Sequence, residues 1–174
     1  MMFTGDELTN NTGGEILKHT GNLDKKFSIS TDTRTITEND MYLPLKGKSF
    51  DGENFIKNAL NSGCKAYFTT KDEVFNDADF ILKVGDTKEA YLNIAKYYRK
   101  KINPITIAIT GSAGKTSTKE IIYSVLSQKF KTQKTFSNHN NEIGFCQTVL
   151  GMTYDTEVLI IEMGMRGLGE IDLI

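Results

Sequence analysis

The run Ile105-Thr-Ile-Ala-Ile-Thr110-Gly111-Ser112-Ala113-Gly114-Lys115-Thr116-Ser117 sets two glycines, a lysine and several hydroxyls between a β-branched stretch and an amphipathic one. Glycines let main-chain N–H groups converge on phosphate oxygens, and a lysine adds a mobile positive charge. A hydroxyl at the positive end of a helix is a hard ligand for Mg²⁺. Gly111, Ser112, Ala113, Gly114, Lys115, Thr116 and Ser117 therefore read as a loop for the phosphates of ATP or GTP, with Thr116 as a metal ligand. The turn is a short form, because Ile109 stands where the longer pattern carries glycine.

A second group of chemical residues needs other elements to bring it near. Glu162 ends the apolar run Val158–Ile161, and in an open parallel sheet ligands collect beyond the carboxyl ends of the strands. A carboxylate there could share the Mg²⁺ with Thr116; a solvated strand-end glutamate is the other reading. The turn Asn138-His-Asn140-Asn141-Glu142 clusters amides that suit either a polar ligand or an ordinary helix cap. Earlier in the chain, Ser30-Thr-Asp-Thr33-Arg34 and Leu45-Lys46-Gly47 set an arginine, a lysine, hydroxyls and glycine-lined backbone after two short strands. That set suits a diphosphate cradle or a turn-rich surface.

The elements that position these residues follow from periodicity. Strands are expected at Phe27–Thr31, Met41–Leu45, Cys64–Thr70 and Phe80–Val84, with a helix at Asn54–Asn61 closed by Gly63. Residues 1–26 read as polar and turn-punctuated. Asp86 three residues before Glu89 opens a helix Thr87–Lys101, and Asn103-Pro104 breaks the chain. The expected division is therefore 1–103 and 104–174. Beyond it come a buried-type strand 105–109, a helix to about 130, a strand near Lys131–Thr135, a helix 143–151 and a strand 157–161. The fold class is α/β: a small amino-terminal α/β domain, then the first half of a doubly wound parallel sheet carrying the phosphate loop. Three strands are few for such a sheet, so the second domain is expected to be cut through its middle, as part of a longer protein.

Composition narrows the class. A chain 39% hydrophobic and 25% charged with a formal net charge of −1 is an ordinary globular sequence with no global attraction to nucleic acid. Nothing in it resembles a signal peptide or an apolar span of membrane length, so the cytoplasm is the expected default. Cys64 and Cys146 lack paired spacing and are expected as reduced, packed thiols. With His19 and His139 they form no transition-metal pattern.

Taken together and in order, Ser30-Thr-Asp-Thr-Arg34, Leu45-Lys-Gly47 with Phe50-Asp-Gly52, Thr110-Gly-Ser-Ala-Gly-Lys-Thr-Ser117 with Lys119-Glu120, Asn138-His-Asn-Asn-Glu-Ile-Gly144, and Ile161-Glu-Met-Gly164 with Gly169-Glu-Ile171 resemble the bacterial Mur ligases. Two departures stand out: Ala113, where asparagine or serine is frequent, and Met165-Arg166-Gly167 after the Glu-x-Gly segment. The resemblance implies an amino-terminal domain for the UDP end of the substrate and a central ATPase, with a third domain absent here. The Lys119-Glu120 pair and the Asn-Asn-Glu-Ile-Gly turn favour the member that joins D-Ala-D-Ala to UDP-N-acetylmuramoyl-tripeptide with ATP and Mg²⁺. The alternatives are the sister ligase that adds the third peptide residue, a folylpolyglutamate-type ligase, and a fragment that binds the UDP-substrate without catalysis. Lys115 and Glu162 are the implied catalytic residues. Thr33, Arg34, Lys46 and Gly47 would hold the uridine diphosphate end, and Asn140 and Asn141 would face the peptide or sugar. The chain alone is expected to be inactive, with the remainder of the ligase as its missing partner.

Overall fold

The computed structural model describes residues 1–21, 24–47, 49–136 and 141–164, which divide into two compact units, 2–94 and 95–174 with Met1. In the first, β1 (Phe3–Thr4), α1 (Gly5–Thr12), β2 (Glu15–His19), β3 (Lys26–Ser30) and β4 (Asp40–Tyr42) lead to a 3₁₀ turn, Gly52–Phe55. Then come α2 (Ile56–Asn61), β5 (Ala66–Thr69), β6 (Phe80–Lys83) and the start of α3 (Thr87–Ile102). The strands form one sheet in the order β1-β3-β4-β5-β6-β2. The four central strands are parallel, and β1 and β2 close the edges antiparallel.

Alternation along the central strands buries both of their faces. Tyr42, Tyr67 and Ile81 point into a cluster with Ile56, Leu60 and Cys64, whereas Met41, Phe68 and Leu82 are buried on the opposite face. Cys64 donates its thiol to the carbonyls of Asp40 and Ala66 at 3.1 and 3.0 Å, and burial pushes its pKa up, so it is a packed thiol.

The edges β1 and β2 and the helix α1 occupy residues that periodicity reads as turns. Among the α1 side chains only Leu8 is a buried hydrophobe, which hides the helix from any apolar pattern. The helix is nucleated by a capping box: Thr4 Oγ1 accepts from the Glu7 amide at 3.2 Å while the Glu7 carboxylate accepts from the Thr4 amide at 3.1 Å. The opening of α3 follows its sequence cue, with the Asp86 carboxylate accepting from the Glu89 amide at 2.8 Å.

The unit division falls inside α3, and the helix itself runs on to Ile102, where Asn103 takes the left-handed conformation at φ 53°. The second unit continues with β7 (Ile105–Ile109), α4 (Lys115–Leu126), β8 (Thr132–Lys134), α5 (Glu142–Leu150) and β9 (Val158–Glu162). Its sheet is parallel in the order β7-β9-β8. The chain crosses from β7 over to β8 and returns to the centre at β9, so right-handed crossovers put α4 and α5 on opposite faces. Ile122, Leu126 and Phe130 pack against Ile109, Val158 and Ile160 on the α4 side, each buried aliphatic side chain contributing roughly 1.5–3 kcal/mol.

β7 differs from the buried strand its sequence predicts. It pairs with β9 alone among the described residues, and Ile105 is 68% exposed, as are Ile121 and Val125 at 64% on α4. An edge strand with one neighbour leaves apolar residues in solvent that a wider sheet would cover.

Candidate nucleotide-binding site

The chain leaves β7 at Ile109 and turns through Thr110–Gly114, with Gly111 at φ 149° and Gly114 at φ 76°. Side-chain-bearing residues adopt such angles only at a cost, which is why glycines stand there. Residues 111–114 are exposed, and Lys115 begins α4 without a side-chain hydrogen bond at its cap, Gly114. Uncapped amides at a helix N-terminus with exposed glycine backbone beside them are a donor array for an oxyanion. Lys115 Nζ donates to the Gly111 carbonyl at 2.7 Å, folding the ammonium back over the loop.

Thr116, in the first turn of α4, donates its hydroxyl to Glu162 at 3.1 Å from Oε1 and 3.0 Å from Oε2. The loop residue and the strand-end carboxylate are thus brought together across 46 residues of sequence. Glu162 sits at the end of the central strand, its side chain 2% exposed. Its amide donates to Thr135 Oγ1 at 3.0 Å, just past the end of β8. Its Oε2 lies 3.2 Å from Nζ of Lys119, whose side chain is wholly buried. Lys119 also approaches Glu120 Oε1 at 3.7 Å, and Glu120 pairs with Lys134. The hydrogen bond from Lys134 holds the Glu120 carboxyl below the ordinary glutamate range. Lys134 in turn lies 4.1 Å from the centre of the Tyr123 ring, so its charge is engaged with its neighbours.

A hydroxyl and one buried carboxylate are hard oxygen donors of the kind Mg²⁺ takes. That ion keeps several waters and fills its remaining positions from phosphate oxygens rather than from an all-protein cage. Among the described residues no group of three or more histidine, cysteine, aspartate or glutamate side chains is placed to hold a metal ion.

The remaining expected residues lie in the first unit or at the amide turn. Arg34 is spent within its own loop, its Nη2 2.6 Å from Asp32 Oδ2 and its Nε 2.9 Å from Oδ1, with 86% of its side chain exposed. The Arg34 hydrogen bonds bring the Asp32 carboxyl down to about 2. Thr33 sits beside it in the turn after β3. The main chain of Lys46 forms an isolated antiparallel bridge with that of Asp51, and the Gly47 amide donates to the Phe50 carbonyl at 2.9 Å, in a turn where a Cβ on Gly47 would run into the Phe50 ring. Lys46 lines a cleft of about 280 Å³ with Asp51, Glu53, Thr70, Lys71 and Thr87, whereas Thr33 and Arg34 do not line it. Asn141 caps α5, its Oδ1 accepting from the Gly144 amide at 2.9 Å; Asn140 lies outside the described residues, as do His139 and the Met165-Arg166-Gly167 segment.

Sequence reasoning assigned no site role to three polar residues that the fold uses. Lys119 follows Lys115 by four and Thr116 by three, which sets it on the same helix face, so its proximity to the loop was readable. Thr135 had no local signal, since its task depends on β8 lying beside β9. Glu53 is the third. Its side chain, 6% exposed, accepts from the Thr70 amide at 2.5 Å and from the Thr69 hydroxyl at 3.2 Å, and pairs with Lys71 at 3.1 Å. Burial alone would raise its pKa, but the bonds from Thr70 and Lys71 outweigh it and leave the carboxyl below the ordinary range.

Residues 109–174 match the Mur ligase middle domain and residues 28–105 the Mur ligase family catalytic domain. The UDP-N-acetylmuramoyl-tripeptide–D-alanyl-D-alanine ligase of Synechocystis is 43% identical over 148 residues, which is 84% of this chain and 33% of that protein. A crystal structure of MurF from Acinetobacter baumannii superposes with a TM-score of 0.92 at 31% identity, covering 99% of this chain and 38% of that one. MurF from Thermotoga maritima in complex with ADP gives a TM-score of 0.76, also at 31% identity, over 84% of this chain and 34% of its own. The chain thus spans about a third of the length of the relatives it matches. Two adjoining Mur ligase domains, a relative at 43% identity and a fold shared with solved MurF structures assign this chain to the Mur ligase family.

Proposed function

We propose that the chain is the UDP-substrate domain, residues 1–103, and part of the ATP-binding domain, from 104 onward, of a cytoplasmic ligase that joins D-Ala-D-Ala to UDP-N-acetylmuramoyl-tripeptide in peptidoglycan precursor synthesis. The observation that carries the reading is the Thr116–Glu162 contact at 3.0 Å beside an uncapped, lysine-bearing helix N-terminus. Similarity to ligases named for that activity supplies the substrate class.

The chemical difficulty is charge, since an anionic carboxylate must approach an anionic γ-phosphate. In this reading the amides of Gly111–Thr116 orient the β- and γ-phosphates, and Lys115 swings from the Gly111 carbonyl onto their oxygens, offsetting repulsion. Thr116 and Glu162 would hold Mg²⁺, whose charge would offset that of the phosphates. The terminal carboxylate oxygen of the tripeptide attacks the γ-phosphorus and ADP leaves. The amine of D-Ala-D-Ala then attacks the acyl carbon, phosphate departs, and the amine gives up a proton. Thr33, Arg34, Lys46 and Gly47 are assigned to the uridine diphosphate end, with Arg34 exchanging Asp32 for phosphate oxygens. Asn140 and Asn141 are assigned to the peptide or sugar.

Calorimetric titration of the folded chain with UDP-N-acetylmuramoyl-tripeptide, and with the dipeptide precursor, tests the substrate assignment. Saturable binding that favours the tripeptide and weakens in Lys46→Ala supports it. Preference for the dipeptide precursor transfers the assignment to the sister ligase, and a folded chain that binds neither removes the amino-terminal domain's role.

A further inference from the structure

Lys119 has no exposed side-chain surface, and the roles assigned above do not use it. A lysine rarely goes fully underground without a purpose for its charge. Its ammonium stands 3.2 Å from Glu162 Oε2, while Thr116 donates to the same carboxylate, so the helix that carries the phosphate loop clamps Glu162 with a hydroxyl and a cation one turn apart. The second carboxylate near Lys119, that of Glu120, is tied to Lys134 and is 49% exposed, whereas Glu162 is the buried carboxylate beside Lys119.

This juxtaposition has a consequence for metal binding. A divalent cation arriving alone would meet a carboxylate already neutralised, with a fixed ammonium a few ångströms off repelling it in a poorly screened setting. A cation arriving with nucleotide phosphates brings its own compensating charge. We propose that Lys119 is a positioning residue: it holds Glu162 against Thr116 before the metal arrives and keeps the site poor for free divalent ions, so that the cation enters as its nucleotide complex. The inference rests on the reading of Thr116 and Glu162 as the cation site.

The test uses Lys119→Met, Glu162→Gln and the double variant, each followed by metal-free thermal melting and by Mn²⁺ titration monitored by electron paramagnetic resonance. Lys119→Met, which keeps the length of the stem, should melt lower than the parent, and the double variant should recover most of that loss because neither charge is then left alone. Lys119→Met should bind free Mn²⁺ at least about tenfold more tightly, the gain vanishing when Glu162→Gln is added. If Lys119→Met does not fold, folding of the double variant with a near-parental midpoint supports the pairing; failure of both makes the buried stem mere packing and overturns the proposal. Unchanged Mn²⁺ affinity in a folded Lys119→Met also overturns it. Binding of Mn²⁺·ATP separates the two layers: if Glu162→Gln weakens it while Lys119→Met leaves free Mn²⁺ affinity unchanged, the cation-site reading stands and this inference falls. If Glu162→Gln leaves Mn²⁺·ATP binding intact, both fall.

Discussion

Thr135→Val isolates a hydrogen bond that aims the proposed metal ligand. Thr135 is fully buried, its hydroxyl accepts from the Glu162 amide at 3.0 Å, and its own amide donates to the Ile160 carbonyl at 2.9 Å. Valine fills nearly the same volume and keeps the main-chain bond, so the change removes one acceptor and opens no cavity. The Glu162 N–H is then buried without its partner, at a cost of about 1–3 kcal/mol. For a unit of this size each kcal/mol lowers the melting midpoint by roughly 4–8 °C, so a fall of at least about 4 °C is expected. Urea unfolding should move the midpoint and leave the slope unchanged, since the surface exposed on unfolding is the same. Thr135→Ser, which restores the acceptor, should recover most of the loss. Equal stability of the valine variant and the parent, or no recovery with serine, would refute the argument that this hydroxyl completes the β8–β9 ladder.

Three further outcomes follow from the same geometry. Lys115→Ala in the full-length ligase should lower turnover by about a hundredfold or more while leaving UDP-substrate binding largely intact, read by phosphate release and calorimetry; near-normal ligation contradicts the loop assignment. Thr4→Ala should cost about 1 kcal/mol and speed amide exchange across Gly5–Thr12 well before the rest of the first unit, because it removes the hydroxyl of the capping box. The depressed Glu53 carboxyl adds stability that is fully present above the ordinary glutamate pKa of about 4.3 and is lost as pH falls through its lower folded value, so Glu53→Gln should flatten the acid limb of a stability-versus-pH curve.

Much of the candidate site's architecture was legible because its parts are local. Strand, glycine turn, lysine, hydroxyl and helix follow one another within Ile105–Leu126, and each obeys a short-range rule. Glu162 was readable from the rule that parallel strands end at ligands. Thr135 was not, since which residue meets the Glu162 amide depends on the register Lys134↔Ile160, a pairing no local pattern encodes. The amino-terminal edges were missed for a related reason: β2 reaches its partner β6 across some sixty residues, His19 opposite Phe80, and its own residues are half exposed. Helix α1 was hidden by its polar composition, although Thr4 and Glu7 at capping-box spacing announced its start. The exposure of Ile105, Ile121 and Val125 lies beyond local rules too, because burial depends on what lies beside β7 and α4.

The most direct test is to supply the full-length ligase with ATP, Mg²⁺, UDP-N-acetylmuramoyl-tripeptide and D-Ala-D-Ala, and to follow the UDP-linked product by mass spectrometry alongside phosphate release. The account predicts a product heavier by the dipeptide less water, with one phosphate released for each product and no release when either acceptor or donor peptide is withheld. Addition of a single amino acid to the dipeptide precursor instead, or no product from any combination, would contradict it.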